Sequence, residues 1–169
     1  MAHSFDITTD SGLLALIDPD AYAAFVDPDW EFRHLMVHFR EQMAKRRMLI
    51  WCAGLGAEWT VAVASEPSPR TGFREVTGTI VATGGRLALV SYEELTRAAE
   101  DADYVLPPSH EPHLLTCEPG TYACRIVQLE DPQAVDWDTP NTHLYLELSR
   151  TNEEIPVWTQ VPWGEDIGV

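Results

Sequence analysis

The sequence predicts an α+β protein of mainly antiparallel β structure, a β-sandwich-like assembly with two or three helices packed on or beside the sheet. Strand-like runs outnumber helical ones by roughly three to one, and Gly- or Pro-containing turns separate most of them. The chain has 169 residues, 45% of them apolar, and no long Gly/Ser/Pro linker. We therefore expect one globular domain over residues 1–169, with 151–169 as a tail rich in Trp, Pro and acids.

Two short strand candidates, SFDITTD and GLLALID, open the chain, and a helical region follows them. Asp18 and Asp27 each precede a proline, a pair that is typical of a helix N-cap and the first helical position. One short helix and one longer helix are therefore predicted. Basic residues at 45–47 would suit the C-terminal dipole of the longer helix. Its apolar residues recur at helical spacing: Phe32, Leu35, Met36, Phe39 and Met43.

The middle of the chain predicts a meander of up to four strands. MLIWCAG and EWTVAVAS are joined by the turn GLGA, and FREVTGTIVAT and RLALVS are joined by Gly84 and Gly85, which suit a tight hairpin. SYEELTRAAEDAD then predicts a helix, because Ser91 and Glu94 have capping-box spacing.

The stretch CEPGTYACRIVQLED predicts a hairpin, with HLLTCE and TYACRIVQLED on either side of Pro119 and Gly120. Such a turn would place Cys124 opposite Leu115. Alternation along the second strand puts Tyr122, Cys124 and Ile126 on one face, which we expect to be buried. HLYLELS predicts the last strand.

Three cysteines at long spacings, without a C-x-x-C unit, predict free thiols rather than disulfides or zinc ligands. Cys52 and Cys124 lie in apolar or alternating runs, and Cys117 precedes an acid, which raises a thiol pKa. A catalytic cysteine needs a depressed pKa, so no catalytic residue is predicted.

A metal site is the main enzymatic alternative. His34 and His38 lie four residues apart on the long helix, and the loop carrying His110, Glu111 and His113 offers a third ligand. The run HLMVH lacks the glutamate of the H-E-x-x-H motif. The prediction is therefore no metal and no cofactor, with a small metal-dependent hydrolase using His34 and His38 as the alternative.

The net charge of −16 argues against a nucleic-acid partner, because phosphates repel such a surface. Residues 1–85 carry 11 acids and 7 bases, whereas 86–169 carry 16 acids and 4 bases. A basic protein partner is predicted, although acids in such number also serve solubility alone. No run approaches a membrane span and the N-terminus lacks a signal-peptide pattern, so a cytoplasmic location is expected.

The tail combines large aromatic side chains with carboxylates, a composition that favours a binding surface. The alternative is that both indoles fold back over the protein's own core. The predicted partner-binding residues are Glu153, Glu154, Trp158, Trp163, Glu165 and Asp166.

The order of these features resembles the competence-type nuclease inhibitor family and related small acidic bacterial immunity-like proteins. The segments that carry the resemblance are AYAAFV, DWEFRHLMVHFREQ, EWTVAVAS, EVTGTIVATGGRLALVS, LPPSHEPHLLTCEPGTYACRIVQL and HLYLELS. The resemblance implies a β-sandwich that binds and silences a nuclease and has no catalytic residues.

The predicted function is therefore a non-enzymatic binding protein, an inhibitor or immunity-type protein for a basic partner such as a nuclease. A small-molecule binding module, with an apolar ligand on the concave face of the sheet, stays open beside the hydrolase alternative. The sequence leaves the oligomeric state undetermined.

Overall fold

A computed structural model describes residues 3–109 and 113–165, and within these ranges the chain forms nine strands and two helices in two stacked sheets. The predicted α+β class is confirmed. The strands are β1 (His3–Thr9), β2 (Leu13–Ile17), β3 (Met48–Cys52), β4 (Ala57–Ala64), β5 (Arg74–Ala82), β6 (Arg86–Ser91), β7 (Leu114–Thr116), β8 (Gly120–Gln128) and β9 (Leu144–Arg150). The helices are α1 (Phe32–Ala44) and α2 (Tyr92–Glu100).

The two sheets enclose the main core. The five-stranded sheet has the order β1-β4-β9-β8-β5, the four-stranded sheet has the order β3-β2-β6-β7, and their inner faces share one apolar cluster that includes Trp51, Trp59 and Ile126. Both helices pack on the outer face of the four-stranded sheet in a second cluster. Because both faces of β2 are covered, all five of its residues are buried. The outer face of the five-stranded sheet carries no helix among the described residues.

The pairing predicted from the turns is wrong at three points, because the chain passes from one sheet to the other. β3 and β4, β5 and β6, and β7 and β8 lie in different sheets. Cys124 therefore lies opposite Gly78 and Leu148 rather than Leu115. Gly and Pro permit a sharp change of direction, but the strand partner is chosen by the burial of apolar faces.

The predicted short helix after Asp18 is absent, and α1 begins at Phe32 rather than just after Asp27. The buried carboxylate of Asp18 accepts hydrogen bonds from the amide and hydroxyl of Thr83, which ties this segment to the β5–β6 turn. The amide of Asp27 donates to Ala99 O at the end of α2. Tertiary hydrogen bonds thus override the local capping signals.

The other helical predictions are largely confirmed. Ser91 and Glu94 form the capping box of α2, and Leu35, Met36, Phe39 and Met43 are buried on one face of α1. Phe32, at the first position of the stripe, is exposed. Residues 45–47 lie just beyond α1. Neither described helix is long and apolar enough to cross a membrane.

Candidate functional site

The C-terminal tail runs along the side of the sandwich formed by β3 and β5. The Trp158 indole donates from Nε1 to Thr77 O at 3.0 Å and packs against both apolar clusters. It lies so close to Gly78 that a Cβ there would approach the indole to 2.8 Å. The Cys52 amide donates to Pro162 O at 3.0 Å. The tail therefore covers the edges of both strands.

Trp163 also contacts β5, through Arg74 at the start of that strand. Its backbone has a φ of 64°, in the left-handed region that bulky residues rarely adopt, and the Arg74 guanidinium lies 4.3 Å from its ring centre. Arg74 also donates to Gln128 Oε1 at 2.6 Å and to Cys52 O at 3.1 Å. This network joins the tail to both sheets.

The tail residues predicted to bind a partner therefore differ in their placement. Trp158 and Trp163 are half-buried on the core, as the alternative interpretation expected, whereas Glu153, Glu154 and Glu165 are exposed. Asp166 lies outside the described residues. Contact of these six residues with a partner stays a prediction.

A second surface, which we call the acidic groove, lies on the outer face of the five-stranded sheet at β1, β4 and the β8–β9 connection. It encloses about 870 Å³, and its walls carry the carboxylates of Asp6, Glu58 and Asp138. No lysine or arginine is among the described residues that line it. The groove therefore presents concentrated negative charge in a concave space.

Trp137 stands at the wall of the acidic groove with 39% of its surface exposed. Its ring meets Trp59 edge-on at 5.0 Å and lies 4.9 Å from the ring of His143. Asp136 holds the turn that carries it, accepting from the Thr139 hydroxyl at 2.7 Å and the Asp138 amide at 3.1 Å. These hydrogen bonds hold the pKa of Asp136 below its usual value. One side of the indole thus packs against Trp59 and His143, and part of its remaining surface is exposed to solvent.

His143 also lines the groove, with its ring against those of Trp59 and Trp137. Its Nδ1 accepts from the Thr60 amide at 2.9 Å, which assigns the hydrogen of the neutral ring to Nε2. That Nε2 is buried and has no hydrogen-bond partner in the described ranges. Burial lowers the pKa of His143 below its usual value, although Glu130 and Asp6 act in the opposite direction. The ring is therefore neutral near pH 7 and leaves the charge of the groove uncompensated.

Two arginines lie on this face of the sheet outside the groove. Arg70 stacks over the Tyr145 ring at 3.6 Å, whereas Arg125 is paired with carboxylates. Arg125 contacts Glu147 at 2.8 Å and Glu75 at 2.6 Å. Burial of Glu147 opposes its ionisation, yet hydrogen bonds from Ser68 and Arg125 hold its pKa below the usual value. Arg125 and Glu147 thus fix loop 65–70 on the sheet, and the charge of Arg125 is balanced by its two carboxylate partners.

A separate cleft of about 400 Å³ opens between the sheets beside β1 and β7, lined mainly by apolar groups. Cys117 lies in this cleft, and burial raises the pKa of its thiol. Cys124 is fully buried, and burial raises its pKa to about 12. The three cysteines are thiols rather than half-cystines, and the predicted burial of Tyr122, Cys124 and Ile126 on one face is confirmed.

The metal alternative gains no support from the described residues. His34 Nδ1 accepts from the Glu31 amide in the first turn of α1, and His38 Nε2 lies 2.6 Å from Ala23 O. No group of three His, Cys, Asp or Glu side chains in metal-binding geometry occurs in residues 3–109 and 113–165. His110 and Glu111 lie outside those ranges.

The sequence prediction missed the acidic groove. Its signal is the run Asp136-Trp137-Asp138, an aromatic residue between two acids in a long connection. Nothing local to that run indicates that Asp6 and Glu58, about 80 to 130 residues earlier in the chain, face the same space.

No protein-family model and no curated protein sequence matches the chain. Among solved structures, the chain is similar to one described as Crocagin biosynthetic gene J, with a TM-score of 0.60, 15% identity, and coverage of 89% of this chain and 97% of that one. It is also similar to ComJ from Bacillus subtilis, described as an inhibitor of the DNA degrading activity of NucA, with a TM-score of 0.51, 9% identity, and coverage of 88% and 96%. The predicted resemblance to nuclease inhibitors is thus confirmed as a likeness of fold.

Proposed function

We propose that this protein is a non-enzymatic inhibitor that binds a basic protein, a DNA-degrading nuclease. The observation that carries the proposal is the acidic groove, whose described walls hold three carboxylates, an exposed indole and no cation. The net charge of −16 agrees with a basic partner, and the likeness in fold to ComJ favours a nuclease.

The chemistry of the groove suits such a partner. A nuclease holds DNA phosphates with lysine and arginine side chains, and the groove offers carboxylates to the same cations. Trp137 adds a large, partly exposed apolar surface beside these carboxylates, and Trp is enriched among interface hot spots. Binding through these groups would block the DNA-binding surface of the nuclease without any reaction.

The tail offers a second set of carboxylates, at the edge of the five-stranded sheet opposite the groove. Glu153 lines a shallow pocket on the outer face of the five-stranded sheet, the face that also carries the groove. Arg125 and Arg150 line the same pocket, and both are paired with carboxylates. The carboxylates of Glu153, Glu154, Glu165 and Asp166, which the sequence analysis predicts as partner contacts, would also bind basic side chains of the partner. Trp158 and Trp163 would hold the tail in position.

The test is inhibition of purified basic nucleases from the source organism in a DNA-degradation assay. Glu58→Lys with Asp138→Lys reverses two charges in the groove, and we expect the inhibition constant of the susceptible nuclease to rise at least about tenfold. The association rate of the unmodified pair should fall as salt is raised from 0.05 to about 0.5 M, because steering is screened.

The matched control is Glu100→Lys with Asp103→Lys, at the end of α2 on the far side of the molecule. Both double variants change the net charge from −16 to −12. All four acids are exposed. An equal loss of inhibition in both would mean that net charge alone acts, and failure to inhibit any basic nuclease would contradict the proposal.

A further inference from the structure

β1 is an open edge of the five-stranded sheet. The Thr60 amide donates to His143 Nδ1 and Thr60 O accepts from the His143 amide, so both backbone groups of Thr60 point away from β1. Asp6, which lies opposite Thr60, therefore directs its own N–H and C=O away from β4, and alternation extends this to Ser4 and Thr8. These three amides donate to no acceptor in residues 3–109 and 113–165.

The other long edges are occupied. Val81 on β5 donates to Arg46 O, Thr77 O accepts from Trp158, and Cys52 on β3 donates to Pro162 O. β7, at the remaining edge, has only three residues. β1 has seven residues and carries no proline, lysine or bulge, which are three of the devices that normally prevent strand addition.

β1 also separates the two cavities of this side of the molecule. Ser4 and Asp6 line the acidic groove on the outer face, whereas His3, which alternates with them, lines the largely apolar cleft between the sheets. A strand added beside β1 would continue both faces. Its alternate side chains would lie next to the groove and next to the cleft.

We propose that the partner docks by adding an extended segment to β1, with basic side chains toward the acidic groove and apolar side chains toward the cleft. This inference rests on the proposed function and specifies how the partner engages the same face. The main-chain hydrogen bonds would supply affinity, and the alternating side chains would supply specificity. Asp6 provides the charge complementarity at the centre of the strand.

The probe is a capped nonapeptide of alternating Lys and Val, compared with the same peptide N-methylated at alternate residues on its pairing edge. Methylation keeps the charge and removes the donors. We expect the first peptide to bind at least about tenfold more tightly and to slow hydrogen exchange at the amides of Ser4, Asp6 and Thr8, with little change at Thr60.

Two substitutions in the protein test whether the outward amide of Thr8 takes part in peptide binding. Thr8→Pro removes an outward amide without removing a bond to β4, so it should weaken peptide binding at least about tenfold, whereas Thr8→Val keeps the amide and should bind normally. Circular dichroism and urea unfolding show whether the proline variant is folded, and the methylated peptide tests the same bond in the unmodified protein.

Three results would overturn strand addition. These are no binding of the alternating peptide, equal binding of the two peptides, or peptide binding without protection of the β1 amides. If the two peptides bound equally but the Glu58→Lys, Asp138→Lys variant still lost nuclease inhibition, strand addition would be wrong and the proposed function would stand. Protection of β1 that grows with protein concentration in the absence of peptide would assign the edge to a second copy of this chain instead.

Discussion

The strand edges on the two sides of the sandwich differ, because the tail covers the edges at β3 and β5, whereas no described segment pairs with the edge at β1. At the β3 and β5 side, the tail residues Trp158, Pro162 and Trp163 contact the edge strands. Val81 of β5 also donates a backbone hydrogen bond to Arg46 O. At the β1 side, a seven-residue edge strand lies between the acidic groove and the apolar cleft, and its outward amides have no acceptor within residues 3–109 and 113–165. Because exposed strand edges tend to pair with other chains, a closed edge contributes stability and an open edge contributes a place for a partner.

The largest effect on stability should come from removing the Trp158 indole that covers the β5 edge. Trp158→Ala removes an indole that packs on both apolar clusters and its hydrogen bond to Thr77 O. We expect a loss of about 3 kcal/mol in the free energy of unfolding, measured by urea denaturation. On the open side, Thr8→Ala should change it by less than about 0.5 kcal/mol. Similar losses for the two variants would remove the distinction between the sides.

The next effect is a difference in thiol reactivity. Cys117 lines the cleft at the open side, whereas Cys124 is fully buried with a pKa raised to about 12. In native protein, a disulfide reagent should modify Cys117 first and Cys124 at least about a hundredfold more slowly, since Cys124 reacts only after local opening. Cys117→Ser should abolish the fast phase. Rapid labelling of Cys124 would contradict its placement in the core.

The smallest effect is a pH dependence that originates partly in the groove. Burial lowers the pKa of His143 in the folded protein below its usual value of 6.5, and burial also lowers that of His38. The unfolded chain therefore binds these protons more readily, and stability should fall as pH decreases from about 7.5 through 6.5 and below. Unfolding curves of His143→Gln should show a weaker decrease over that window. An unchanged slope would mean that the folded protein protonates His143 as readily as the unfolded chain does.

Much of the strand content follows directly from local sequence. Apolar or alternating runs predict all nine strands that the described residues form, because each strand must bury at least one face. The Ser91 and Glu94 spacing predicts the start of α2. The alternation of Tyr122, Cys124 and Ile126 correctly predicts the buried face of β8. Periodicity reports which face is buried and does not report which strand lies alongside.

The sequence by itself determined the α+β class, the thiol state of the cysteines and the strong negative charge, since these depend on composition and short-range pattern. Only the tertiary structure decided that the Gly84–Gly85 and Pro119–Gly120 turns connect two sheets, because strand pairing depends on distant apolar faces. It also decided that Trp158 covers an edge while Trp137 is exposed among acids. Both indoles lie in irregular segments that contain proline and acids, and their different surroundings are set by strands far away in the chain.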